Sequence, residues 1–124
     1  MTDSTRGCVL LADRHHGLTE GVRGLLETTF ASVFIVNDEA SLLKGTERLT
    51  PRLVIVDIAL ASGDLAGLVS RLIARSPHSK ILMLSVHDEP CVAQAAVRAG
   101  AHAVVLKRSI VTDLLPAIDA LLDS

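Results

Sequence analysis

Five short apolar runs, separated by longer amphipathic stretches, constrain this chain more than any other feature. They are Cys8 to Ala12, Val33 to Val36, Leu53 to Val56, Ile81 to Leu84 and Ala103 to Leu106. Together they are rich in β-branched residues, and most lack polar/apolar alternation. A strand without alternation has no face for water, which is the mark of a parallel sheet covered by helices on both sides. The intervening stretches carry the helical period. Leu18, Val22, Leu25 and Leu26 recur at i, i+4, i+7 and i+8, as do Leu114, Ile118, Leu121 and Leu122. Leu65, Leu68, Val69, Leu72 and Ile73 form a third stripe. Leu42, Leu43 and Thr46 mark a weaker helix, and Val92, Ala95, Ala96 and Ala99 an alanine-rich one.

Punctuation follows the same plan. Asp38, Asp88 and Ser109 sit where helix N-caps belong, Gly100 follows Ala99 as a C-terminal glycine would, and Pro77 stands past the end of the third helix. The sum is five βα units, hence an α/β fold: an open, doubly wound, five-stranded parallel sheet, since right-handed crossovers place helices on both faces. A length of 124 residues fits one compact domain, 1–124.

Bulk properties exclude several functions. The formal net charge is −2 and the aromatics are Phe30 and Phe34 alone, so the basic, aromatic-interleaved surface of a nucleic-acid binder is missing. The same scarcity of rings argues against a flavodoxin-like redox protein, which stacks aromatics on its flavin. Cys8 and Cys91 make neither a CxxC pair nor a disulfide framework, as expected in a reducing compartment. The apolar runs are about four or five residues long, far short of a membrane span of roughly 18 or more. The polar start, Met1 to Gly7, lacks the build of a signal peptide. The expectation is a cytoplasmic protein with no membrane contact. Glycine-rich phosphate loops and nucleophile elbows are absent from the sequence. His15 and His16 are adjacent, so their side chains diverge, and neither is assigned a ligand role.

In open α/β sheets the site lies beyond the carboxyl ends of the strands. That rule selects Asp13, Asp57, Ser85 and Lys107, each at or just after the end of an apolar run. Singly, such residues are usually caps, loop hydroxyls or solvated charges. Together they have a chemistry. Two carboxylates at one sheet edge repel unless a cation joins them, and Mg²⁺ suits hard oxygen ligands. A hydroxyl and an ammonium can hold phosphoryl oxygens, while one carboxylate acts as nucleophile to form an aspartyl phosphate.

Four stretches carry a family resemblance that covers about Cys8 to Leu122. They are Leu11-Ala12-Asp13-Arg14-His15-His16, Pro51-Arg52-Leu53-Val54-Ile55-Val56-Asp57, Leu84-Ser85-Val86-His87-Asp88-Glu89-Pro90, and Ala99-Gly100-Ala101 through Leu106-Lys107. They resemble the receiver domains of bacterial two-component response regulators, above all the NarL/FixJ group, whose receivers usually precede a LuxR-type helix-turn-helix domain. The resemblance implies a flavodoxin-like fold with strand order 2-1-3-4-5. It implies that Asp57 takes a phosphoryl group from a sensor histidine kinase or phosphotransfer protein. Asp13 and the backbone carbonyl of Ala59 would hold Mg²⁺ with Asp57, Ser85 would bond the phosphoryl oxygen, and Lys107 would neutralise its charge. The chain would be a signalling domain rather than an enzyme, and DNA would be touched only through an additional C-terminal domain.

The sequence departs from that pattern in places. Arg14 stands where receivers carry a second acidic residue, so an inward Arg14 would partly replace Mg²⁺, whereas an outward one leaves Asp13 and Asp57 to hold it. Val104 replaces the aromatic ring that usually switches with Ser85; Ala61 and Ala103 replace a usual proline and glycine. The fourth helix leaves Gln94 and Arg98 as its polar positions within Cys91 to Arg98, which makes its outer face a candidate docking or homodimer surface. Two functions compete: a phosphoaccepting receiver, and a pseudo-receiver that serves as an interaction module without Mg²⁺-dependent phosphorylation.

Overall fold

A computed structural model describes residues 7–123. The polar start at residues 1–6 and Ser124 lie outside the described residues. Five strands, β1 (Cys8–Ala12), β2 (Ser32–Val36), β3 (Leu53–Asp57), β4 (Lys80–Ser85) and β5 (Ala103–Leu106), alternate with five helices. These are α1 (His16–Leu26), α2 (Glu39–Leu49), α3 (Leu65–Arg75), α4 (Pro90–Ala99) and α5 (Ile110–Leu122). All strand pairs are parallel and the sheet order is β2-β1-β3-β4-β5. The expected doubly wound fold is therefore the observed one.

Side chains of each strand alternate between two cores. Leu10, Val54, Val56, Ile81 and Met83 pack with Leu42, Leu68, Leu72 and Ala96, from α2, α3 and α4. Val9, Leu11, Ile55, Leu82 and Leu84 pack with Val22, Leu26, Leu114 and Ile118, from α1 and α5. β3 is buried along its whole length, which is why its sequence shows no polar face. The burial of Leu114 and Ile118 also carries α5 through Pro116, despite the ~3 kcal/mol that an interior proline costs a helix.

Two caps fall as expected and one does not. Asp38 accepts the Ser41 N–H at the start of α2. Gly100 takes φ +120°, where a Cβ would lie 3.0 Å from Val69 Cγ1. Asp88, however, does not cap α4. Pro90 opens that helix and holds Glu89 extended at the N-cap position, one residue later than expected. The Asp88 carboxylate instead pairs with Arg108 at 2.7 Å. Ser109 precedes α5 but gives it no side-chain cap. Asp64, which accepts the Gly67 N–H at 3.1 Å, is a cap that sequence reading passed over.

His102 completes the ladder between β4 and β5 before β5 begins. Its N–H donates to the Ile81 carbonyl at 2.8 Å, and its Nδ1 accepts the Ile81 N–H at 3.0 Å. An accepting Nδ1 must be unprotonated. Partial burial, aided by the Lys80 charge, holds this imidazole below its ordinary pKa. The folded chain thus binds the proton less well than the unfolded chain. The stability contributed is complete above the unfolded value of about 6.5 and is lost as pH falls through the lower folded value. Urea unfolding between pH 7.5 and 5 should show this loss, and His102→Gln should flatten the slope; an unaltered slope in the variant would remove His102 from the account.

Candidate functional site at the carboxyl end of the sheet

Register brings the four strand-end residues to one edge. Ala12 pairs with Val56, so Asp13 and Asp57, one residue on, stand side by side at the ends of β1 and β3. Asp57 is level with Leu84 of β4, which places Ser85 next to it. Ser85 pairs with Leu106, and Lys107 follows. Lys107 thus starts from the edge strand and reaches over the end of β4 to the two carboxylates.

The Lys107 ammonium is the hub. Its Nζ lies 2.8 Å from Asp57 Oδ2, 2.8 Å from Asp13 Oδ2 and 3.1 Å from His15 Nδ1. At an effective dielectric of about 20, carboxylate oxygens no more than 4.8 Å apart repel by at least about 3 kcal/mol. Each 2.8 Å contact with the ammonium gains about 6 kcal/mol on the same scale, so attraction wins. Burial alone would raise the Asp13 pKa, but Lys107 and the backbone and side chain of His15 outweigh it and hold it below the usual carboxylate range. Burial would lower the Lys107 pKa, and its bonds to Asp13 and Asp57 raise it instead. Both groups are therefore charged at neutral pH.

Two aspartate turns fix the carboxylates. Asp57 Oδ1 accepts the Ala59 N–H at 3.0 Å, and Asp13 Oδ1 accepts the His15 N–H at 2.9 Å. Both are Asx turns, in which a side chain bonds the amide two residues on. Asp13 Oδ2 is fully buried and, among the described residues, has no aligned hydrogen bond; the 2.8 Å approach of Lys107 is an ionic contact. Asp57, Ala59, Ser85 and His87 line a cavity of about 80 Å³ beside the Asp57 carboxylate.

Residues 9–119 match the response regulator receiver domain. The chain belongs to that family. In fold it is similar to the signal receiver domain of NarL from Mycobacterium tuberculosis. The TM-score is 0.83 at 25% identity, covering 97% of this chain and 98% of that one. A LuxR-family response regulator from Aurantimonas sp. SI85-9A1 gives a TM-score of 0.83 at 27% identity, covering 94% and 84% of the two chains. In sequence, the transcriptional regulatory protein DegU of Brevibacillus brevis is 27% identical over 112 residues, 89% of this chain and 48% of DegU. The chain spans about half the length of the curated relatives it matches.

This receiver departs from sequence expectation in what surrounds the hub. Arg14 is exposed, and its charge adds to the Ser41 bonds that hold Asp38 below the usual carboxylate range. It does not reach Asp13 or Asp57 in any described ion pair. The side chain whose edge meets the hub is His15, exposed over most of its ring and left without a role by sequence reading; its signal is the two-residue spacing from Asp13. Ser85 is buried, and its hydroxyl is engaged with the His87 backbone, donating to the carbonyl at 3.0 Å and lying 2.9 Å from the amide nitrogen. The Ala59 carbonyl accepts a long 3.3 Å bond from Ser62. Val104 is half-buried opposite Met83 and packs on the core beneath α2, α3 and α4. On α4, Cys91, Ala95 and Val97 are exposed beside Gln94 and Arg98. Among the described residues no helix is long and apolar enough to cross a membrane.

Removing the hub leaves two buried carboxylates with no shared cation. Lys107→Met should lower the unfolding free energy at pH 7 by about 3–5 kcal/mol, as for a broken buried pair. Urea denaturation measures this, and an unchanged midpoint would show that the ammonium does not hold the edge together.

Proposed function

We propose that Asp57 is the phosphoacceptor of this receiver domain of a two-component response regulator. The observation that carries this is the Asp57 carboxylate set between the Lys107 ammonium, 2.8 Å away, and the small cavity shared with Ser85. One oxygen is fixed by the Ala59 amide, so the carboxylate is oriented before a donor arrives. Asp57 attacks the phosphorus of a phosphohistidine on a sensor kinase or phosphotransfer protein. The P–N bond breaks, an acyl phosphate forms, and the imidazole leaves with a proton. Lys107 then carries the charge that neutralises the phosphoryl oxygens, and the Ser85 hydroxyl gives up its loop partner to bond one of them.

Receivers typically bind Mg²⁺ at an acidic cluster, and a divalent cation fits the donors here. The supporting observation is Asp13 Oδ2, a buried carboxylate oxygen without an aligned hydrogen bond. Asp13, Asp57 and the Ala59 carbonyl would hold the ion. When bound it supplies charge neutralisation and a template for the phosphoryl oxygens. Arg14 lies outside this arrangement, which removes one of the two grounds for the pseudo-receiver reading, the other being Val104. The domain works in the cytoplasm, where the kinase presents its phosphohistidine. A transcriptional output follows by analogy with the named regulators; a homodimer, and DNA contact through an additional C-terminal domain, are what the family resemblance implies.

Incubation with acetyl phosphate and Mg²⁺ should add one phosphoryl mass to the chain, and Asp57→Asn should abolish it. No mass gain under conditions that label an ordinary receiver would overturn the assignment.

A further inference from the structure

The cation position has a nitrogen donor beside its two carboxylates. Three potential ligand atoms converge on one point: Asp13 Oδ2, Asp57 Oδ2 and His15 Nδ1, at 2.8, 2.8 and 3.1 Å from Lys107 Nζ. Asp13 Oδ2 is buried and lacks an aligned hydrogen bond. His15 Nδ1 sits 2.9 Å from Asp13 Oδ1 and 4.0 Å from Asp57 Oδ2. Its ring is held there by the Asx turn at Asp13, while Arg14, the residue between them, is exposed. The same turn carries Arg14 away from the carboxylates and sets one edge of the exposed His15 ring beside them, so the site has an imidazole nitrogen within reach and lacks a second loop acid.

That exchange alters which ion the site prefers. Mg²⁺ demands oxygen ligands in near-ideal octahedral geometry, whereas imidazole suits the first-row transition ions. A second carboxylate would add negative charge, which helps Mg²⁺ most; a neutral imidazole adds a lone pair and no charge. We infer that His15 is a ligand at the cation position, and that the site binds a first-row transition dication in preference to Mg²⁺. This rests on the reading of Asp13 and Asp57 as the cation site. The ammonium that now touches all three atoms must be displaced for a metal ion to enter, and the Lys107 side chain, tethered at the edge strand, is free to follow a phosphoryl group.

Isothermal titration of the domain with Co²⁺ and, separately, with Mg²⁺ tests the inference. The imidazole nitrogen resonances of ¹⁵N-histidine-labelled protein locate the ion. Co²⁺ should broaden the His15 signals first, and its affinity should exceed that for Mg²⁺ by tenfold or more. His15→Ala should cut Co²⁺ affinity about tenfold and leave Mg²⁺ affinity unchanged; the ring is 65% exposed, so its loss should not unfold the chain. His15→Asp should raise Mg²⁺ affinity and shrink the preference. If His15→Ala leaves Co²⁺ binding unchanged while Asp13→Asn weakens it, His15 is no ligand, though the carboxylate site stands. If Asp13→Asn leaves binding of both ions unchanged, the carboxylate site itself falls.

Discussion

One ammonium among acids holds the working end of this protein together. The doubly wound sheet puts the ends of β1 and β3 side by side, and the fold buries both carboxylates that the sequence places there. Asp13 has a fully buried side chain and Asp57 is 7% exposed, so water contributes little to either charge. Lys107 meets that need from the far edge of the sheet. The Asx turns, the buried serine and the histidine at the rim are arranged around this contact, and each fixes or supplies a group that touches the ammonium or the cavity beside it.

Much of this was legible in the sequence because it follows from simple periods. Strands buried on both faces read as unbroken apolar runs, and the helices between them as stripes, so the sheet and its residue spans could be read directly. The strand-end rule then selects Asp13, Asp57, Ser85 and Lys107 from the sequence alone. What was hidden lies in the loops. Arg14 and His15 differ in fate because an Asx turn bends the backbone between them, and apolar patterning carries no information on that bend. Asp88 was misplaced for a similar reason: a proline one position further on decides where the helix begins, and a nearby arginine claims the carboxylate. His102 carries no signal in the apolar pattern; its place in the ladder follows from the register of β4 and β5.

The departures from the family pattern do not all bear on the same step. His15 and Arg14 bear on the charge and donor set beside Asp57. Val104 concerns how a change at the site is passed on, since a half-buried valine packed under the helices has no ring to rotate. Ser85 has a loop partner to lose, the His87 backbone, so a rearrangement on this side would begin in the β4–α4 loop.

The triple contact of Lys107 also sets the terms on which a dissolved ion can enter. A side chain anchored at β5 is present at the carboxylates at an effective concentration on the order of millimolar or more, whatever the state of the solution. A free cation is in competition with this tethered one. Dilution penalises the visitor and leaves the resident untouched, so measured metal affinity will understate the intrinsic strength of the ligand set by the cost of evicting the lysine.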